Sequence, residues 1–155
     1  TLGLARHPAQ IVVSKEGRVD VDALLFDVPE VPAYLIAGDD GALRLRAWLG
    51  ERPWIRHIPL DAHDLRPAID RLRVDEGIRR ISAIGGRSTA TRLVDAGLVQ
   101  DLYLTTTSRG GGEPGTPWYT GAIAPTLDVV TKKAWSDGRG DIVFEHAIIR
   151  KRASM

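Results

Sequence analysis

Short apolar runs rich in β-branched residues alternate along this chain with segments of helical periodicity, and that alternation is its most constraining feature. Ile11-Val12-Val13 reads as a buried strand ending in the turn Ser14-Lys15-Glu16-Gly17-Arg18. Val21 to Phe26 is apolar but interrupted by Asp20, Asp22 and Asp27, which predicts irregular chain or a single turn. Ala33 to Ala37 predicts a second strand, stopped by Gly38-Asp39-Asp40-Gly41. Ala42 to Leu49 suits a short helix, with Leu45 and Leu49 one turn apart, and Trp54 to Ile58 alternates like a strand. Asp64-Leu65-Arg66-Pro67 opens a helix reaching about Glu76, its apolar face formed by Leu65, Ala68, Ile69 and Leu72, with Gly77 as its stop.

Ile78 to Ile84 predicts a further strand running into Gly85-Gly86. A helix from Arg87 to Ala96 follows, closed by Gly97, and then a strand over Asp101 to Thr105. Leu127 to Trp135 and Ile142 to Arg150 are two long strands joined by Asp137-Gly138-Arg139-Gly140, a hairpin signal. The order predicts an α/β fold: three layers, a mostly parallel central sheet with crossover helices, and a C-terminal antiparallel hairpin, in one domain over residues 1–155.

Composition narrows the chemistry. The chain has no cysteine, which excludes disulfides, thiolate zinc sites and thiol catalysis. Its net charge of +1 gives no global field to draw nucleic acid or a membrane surface. No apolar run approaches the roughly 20 residues of a membrane helix, and the N-terminus carries no signal-peptide pattern. His7, His57, His63 and His146 lack metal-ligand spacing, so no metal site is expected and these residues are assigned to the surface or sheet edges. Arg71, Arg73, Arg79 and Arg80 are interleaved with acidic residues and read as a solvated helix face. Trp48, Trp54, Trp118 and Trp135 are assigned to the core.

Ligands of open α/β sheets bind beyond the carboxyl ends of the strands, so the residues that follow each strand are the site candidates. After the first strand, Ser14, Lys15 and Arg18 put a hydroxyl and two cations on one turn, suited either to a phosphate monoester or simply to water. In Ala83-Ile84-Gly85-Gly86-Arg87-Ser88-Thr89, two glycines lead into a helix start. Its free N–H groups and the Ser88 and Thr89 hydroxyls suit an anion such as a pyrophosphate. The alternative is a plain turn with Ser88 as a helix cap. Thr105, Thr106 and Thr107 end a strand in hydroxyls, with Thr105 and Thr107 on one face, which equally suits a solvated strand end.

The stretch Ile81 to Thr105, ISAIGGRSTATRLVDAGLVQDLYLT, resembles the dihydrofolate reductase superfamily. It is especially similar to the C-terminal reductase domain of riboflavin-biosynthesis deaminase-reductases. The resemblance rests on the IGG strand end, the Ala96-Gly97-Leu98-Val99 helix stop and the Asp101-Leu102-Tyr103-Leu104-Thr105 strand, with weaker support from Val12 to Arg18 and from the final hairpin ending Phe144-Glu145-His146. It implies NADPH as hydride donor and a pyrimidine- or pterin-like heterocycle as substrate. Gly85, Gly86, Arg87, Ser88 and Thr89 would hold the pyrophosphate and nearby ribose. Ser14, Lys15 and Arg18 would hold the 2′-phosphate, Ala37-Gly38 would lie beside the adenosine, and Thr105 would face the substrate.

The resemblance further implies a cis Gly85–Gly86 bond, a cytoplasmic setting and a homodimer. It names no proton donor. Ile84 stands where riboflavin-pathway reductases often carry a carboxylate, and the loop Arg109 to Tyr119 is expected to gate a pocket or serve a subunit contact. The family domain begins with a strand, helix and strand before the segment matching Ile11, so this chain is expected to lack the first strands of its fold and to be a fragment. A different class of function, a non-catalytic nucleotide-binding or assembly module on the same fold, stands as the alternative.

Overall fold

The structure is a computed structural model that describes residues 7–61, 64–108, 126–136 and 140–150. The expected loop at Arg109 to Tyr119, the hairpin tip Asp137-Gly138-Arg139, and His63 and Trp118 lie outside the described residues. The chain divides into two compact units, Thr1–Ile81 and Ser82–Met155. The fold class is the expected mixed α/β one, with its parallel strands in the first unit and its antiparallel strands in the second.

In the first unit, strands β1 (Gln10–Val13), β2 (Ala33–Ala37) and β3 (Ile55–Pro59) form a parallel sheet in the order β1-β2-β3. Val12 pairs with Leu35, and Leu35 with His57. Every residue of β2 is buried, as expected of a central parallel strand covered on both faces. Around it Phe26, Ala33, Leu35, Ala37, Leu45 and Ile55 make the core. Phe26 meets Trp48 edge-to-face at a centroid distance of 4.9 Å, and Trp54 Nε1 donates to the Phe26 carbonyl at 2.9 Å. The Val21 to Phe26 segment contains a single 3-10 turn, Leu24–Phe26, as its interrupted pattern predicts.

The expected helix over Ala42 to Leu49 is instead two short ones, α1 (Asp39–Arg44) and α2 (Arg46–Gly50). The start moves forward to Asp39 and Asp40, whose carboxylates favour a first helical turn. Helix α3 (Arg66–Val74) buries Leu65, Ala68 and Leu72 along the predicted stripe. Asp64 accepts from the Arg66 N–H at 2.9 Å, satisfying one orphan donor at the helix start.

The second unit opens with the main departure from the sequence reading. The predicted strand Ile78 to Ile84, which crosses the boundary between the units, is not a strand. It pairs with no neighbour among the described strands, and Ile84 is 99% exposed. Three isoleucines spread over seven positions, with Arg79 and Arg80 between them, do not hold an extended conformation without a ladder to pay its ordering cost. Helix α4 (Arg87–Asp95) follows and ends at Gly97 in the expected manner. The Leu98 N–H returns to the Leu93 carbonyl at 2.9 Å and the Gly97 N–H to Val94 at 2.8 Å.

Strands β4 (Asp101–Thr107), β5 (Thr126–Ser136) and β6 (Asp141–Arg150) then form an antiparallel sheet in the order β4-β6-β5. Thr105 lies opposite Phe144, and Trp135 opposite Ile142. Trp135 is 54% exposed, against its expected place in the core, because it sits at the end of an edge strand.

Candidate functional site

At the carboxyl ends of β1 and β2, the structure brings Ser14, Lys15, Ala37 and Gly38 together. The Ser14 N–H donates to the Ile36 carbonyl at 2.9 Å, and the Gly38 N–H donates to the Lys15 carbonyl at 3.1 Å. The turn between Ser14 and Arg18 closes on itself. The Gly17 N–H donates to the Ser14 carbonyl at 3.0 Å, and the Ser14 hydroxyl donates to the Arg18 carbonyl, also at 3.0 Å. In this geometry the Ser14 hydroxyl proton is committed to the turn itself.

Gly17 explains why the turn can close. Its φ is +66°, and a Cβ there would stand 2.5 Å from the Gly41 carbonyl oxygen. Two glycines thus let the turn seat directly on α1. From that helix the Arg44 guanidinium donates to the Glu16 carbonyl at 2.8 Å. Arg18 is drawn to its neighbour: its Nε lies 3.0 Å from Glu16 Oε2, with both side chains largely in solvent.

Sequence reading named Ser14, Lys15 and Arg18 but missed Gly41 and Arg44. Glycine recurs in the turn and again just beyond β2, where by residue type it marks only a strand stop.

In the second unit, Gly85, Gly86, Ser88 and Thr89 surround the start of α4. Gly86 is the N-cap, extended at φ −72° and ψ 171°, and no side-chain cap is made there among the described residues. Ser88 therefore lies within the first turn and is not the cap. No acidic residue occupies that turn, so its N–H groups and the partial positive charge of the helix end face no carboxylate of the same turn. Gly85 allows a close approach, since a Cβ there would lie 3.3 Å from the Thr89 Cβ.

No cis peptide bond occurs among the described residues, so Gly85–Gly86 is trans, against expectation. A cis bond between non-proline residues costs about 2.5–4 kcal/mol and persists only where surrounding structure enforces it. Here the preceding segment has no ladder to do so. Thr105, expected on the substrate side, lies exposed within β4 on the same face as Tyr103 and Thr107.

The resolved pKa shifts lie elsewhere, near the amino-terminal ends of β2 and β3. The Tyr34 hydroxyl donates to Glu76 at 2.9 Å, and Arg56 pairs with the same carboxylate. The hydrogen bond from Arg56, then that from Tyr34, holds Glu76 below the usual carboxylate range. Burial, then the bond to Glu76, pushes Tyr34 up. This trio ties the end of α3 to the sheet, away from the strand ends that carry the candidate site. Among the described residues no group of three or more His, Cys, Asp or Glu could hold a metal ion, and no helix is long and apolar enough to cross a membrane.

No protein-family model and no curated protein matches the chain. Solved structures do. A pyrimidine reductase-like protein from Corynebacterium diphtheriae superposes with a TM-score of 0.72 at 20% identity, over 93% of this chain and 62% of its own. RibD from Acinetobacter baumannii gives 0.70 at 11% identity, over 92% of this chain and 38% of its own. The riboflavin biosynthesis reductase Rib7 of Saccharomyces cerevisiae gives 0.61 at 17% identity, over 93% of this chain and 70% of its own. This chain thus shares the fold of these three structures, and spans less than two thirds of the first two.

Proposed function

We propose that this chain, on that shared fold, is an NADPH-binding reductase domain acting on a pyrimidine- or pterin-like heterocycle. The observation that carries the reading is the uncapped start of α4 behind Gly85-Gly86, an anion-suited end on a fold whose neighbours are reductases. In this reading Gly85, Gly86, Arg87, Ser88 and Thr89 of the second unit hold the pyrophosphate and adjoining ribose. Taken by itself, the first unit offers Lys15 and Arg18 to a 2′-phosphate, with Ser14 shaping their turn and Ala37-Gly38 suited to an adenosine.

Bound NADPH would supply a hydride. The work of the chain is to fix the cofactor's anionic groups and so orient its reactive ring, with Thr105 on the substrate side. No described residue is assigned as proton donor. A cytoplasmic setting and a homodimer belong to the same proposal, and sedimentation equilibrium giving only the single-chain mass at micromolar concentration would remove the dimer.

The test is titration with NADPH, followed by nicotinamide fluorescence. Micromolar binding that weakens about tenfold in Lys15→Gln or Arg18→Gln supports the reading, whereas no binding up to millimolar NADPH overturns it. The second reading is a non-catalytic nucleotide-binding or assembly module on the same fold. NADPH binding without oxidation in the presence of pyrimidine or pterin substrates would select that reading.

A further inference from the structure

The turn after β1 carries a carboxylate among its cations, and the backbone fixes where that carboxylate starts. Gly17 is locked against Gly41, the Lys15 carbonyl is held by the Gly38 N–H and the Glu16 carbonyl by Arg44. With the peptide groups on both sides of Glu16 pinned, its side chain leaves from a set position toward Arg18, and its Oε2 meets the Arg18 Nε at 3.0 Å. The pair is exposed, Arg18 at 79% and Glu16 at 58%, so it exchanges readily with solvent or a ligand.

Such a carboxylate acts in opposite senses on two nucleotides. Against a 2′-phosphate it repels, and it occupies one of the guanidinium donors the phosphate would take. Toward an unphosphorylated ribose it is an acceptor for the 2′-hydroxyl, the role a carboxylate plays in many dinucleotide sites.

Resting on the nicotinamide-nucleotide reading above, we propose that Glu16 is a specificity-determining residue that sets the balance between 2′-phosphorylated and unphosphorylated cofactor. It holds the preference for NADPH over NADH to about tenfold or less, the scale expected of exposed charges a few ångströms apart.

The test compares NADPH and NADH dissociation constants for the wild type, Glu16→Gln and Glu16→Ala at one ionic strength. Circular dichroism melting confirms that each variant is folded. Both variants are expected to raise the NADPH-to-NADH preference about three- to tenfold, with NADPH tightening and NADH weakening. An unchanged preference in folded variants that bind both nucleotides overturns the inference and leaves the cofactor reading intact. Failure of the wild type to bind either nucleotide overturns both.

Discussion

Gly17 shows how one position can carry a whole turn. A side chain there needs the left-handed backbone region, at a cost of roughly 1–2 kcal/mol, and must also displace the Gly41 carbonyl from 2.5 Å. Gly17→Ala is therefore expected to destabilise the fold by about 2 kcal/mol or more in urea unfolding, while Gly50→Ala, with open space around it, changes stability little or for the better. Glu76 gives a residue-scale prediction with a sign. Its folded pKa lies below its unfolded value, so its contribution is present above the ordinary carboxylate range and lost as pH falls through the folded pKa. The Tm of wild type is expected to exceed that of Glu76→Gln at pH 7, and the gap to close as pH falls through the ordinary carboxylate range and below it. A gap that persists at acid pH would assign the effect to something other than the charge. The glycine at position 17 was visible in the sequence as a turn residue. Its contact with Gly41 was not, because a pairing across 24 positions is not written into either glycine's neighbours.

Elements were legible where the pattern and the ladder agree. β2 is apolar throughout and buried throughout, and α3 carries its predicted stripe to Leu72, which is 0% exposed. Truncation there removes well-packed atoms and leaves a cavity, so Leu72→Ala is expected to cost about 2–5 kcal/mol in denaturant unfolding. Val74→Ala, on the same helix but 78% exposed, is expected to stay within about 0.5 kcal/mol. Equal losses at the two positions would contradict the buried face. Legibility failed at Ile78 to Ile84, where the residue types suit a strand but none of the described strands pairs with it. Strand propensity largely measures fit to neighbours, which a run of residues does not encode by itself. The same limit explains the trans Gly85–Gly86 bond: a resemblance carries a motif over, but the constraint that would strain the motif lies in the structure around it.

At the scale of the whole chain, charge is the property the sequence states most completely, and it bears directly on how a nucleotide is bound. Lys and Arg number 21 against 20 Asp and Glu, so attraction of an anionic cofactor is local, confined to groups such as Lys15, Arg18 and Arg44. Screening acts over about 8–10 Å near physiological salt, and at closer range as salt rises. If the 2′-phosphate meets those cations, the affinity for NADPH is expected to fall several-fold between about 50 and 500 mM salt, while that for NADH, which lacks that phosphate, falls less. The difference in slope isolates the 2′-phosphate from the pyrophosphate common to both cofactors. Arg18→Gln is expected to narrow the difference, and Glu16→Gln to widen it, because the first removes a cation that salt screens and the second exposes one. Parallel slopes for NADPH and NADH in the wild type would separate the 2′-phosphate from the turn after β1, leaving the start of α4 as the anion site that both nucleotides share.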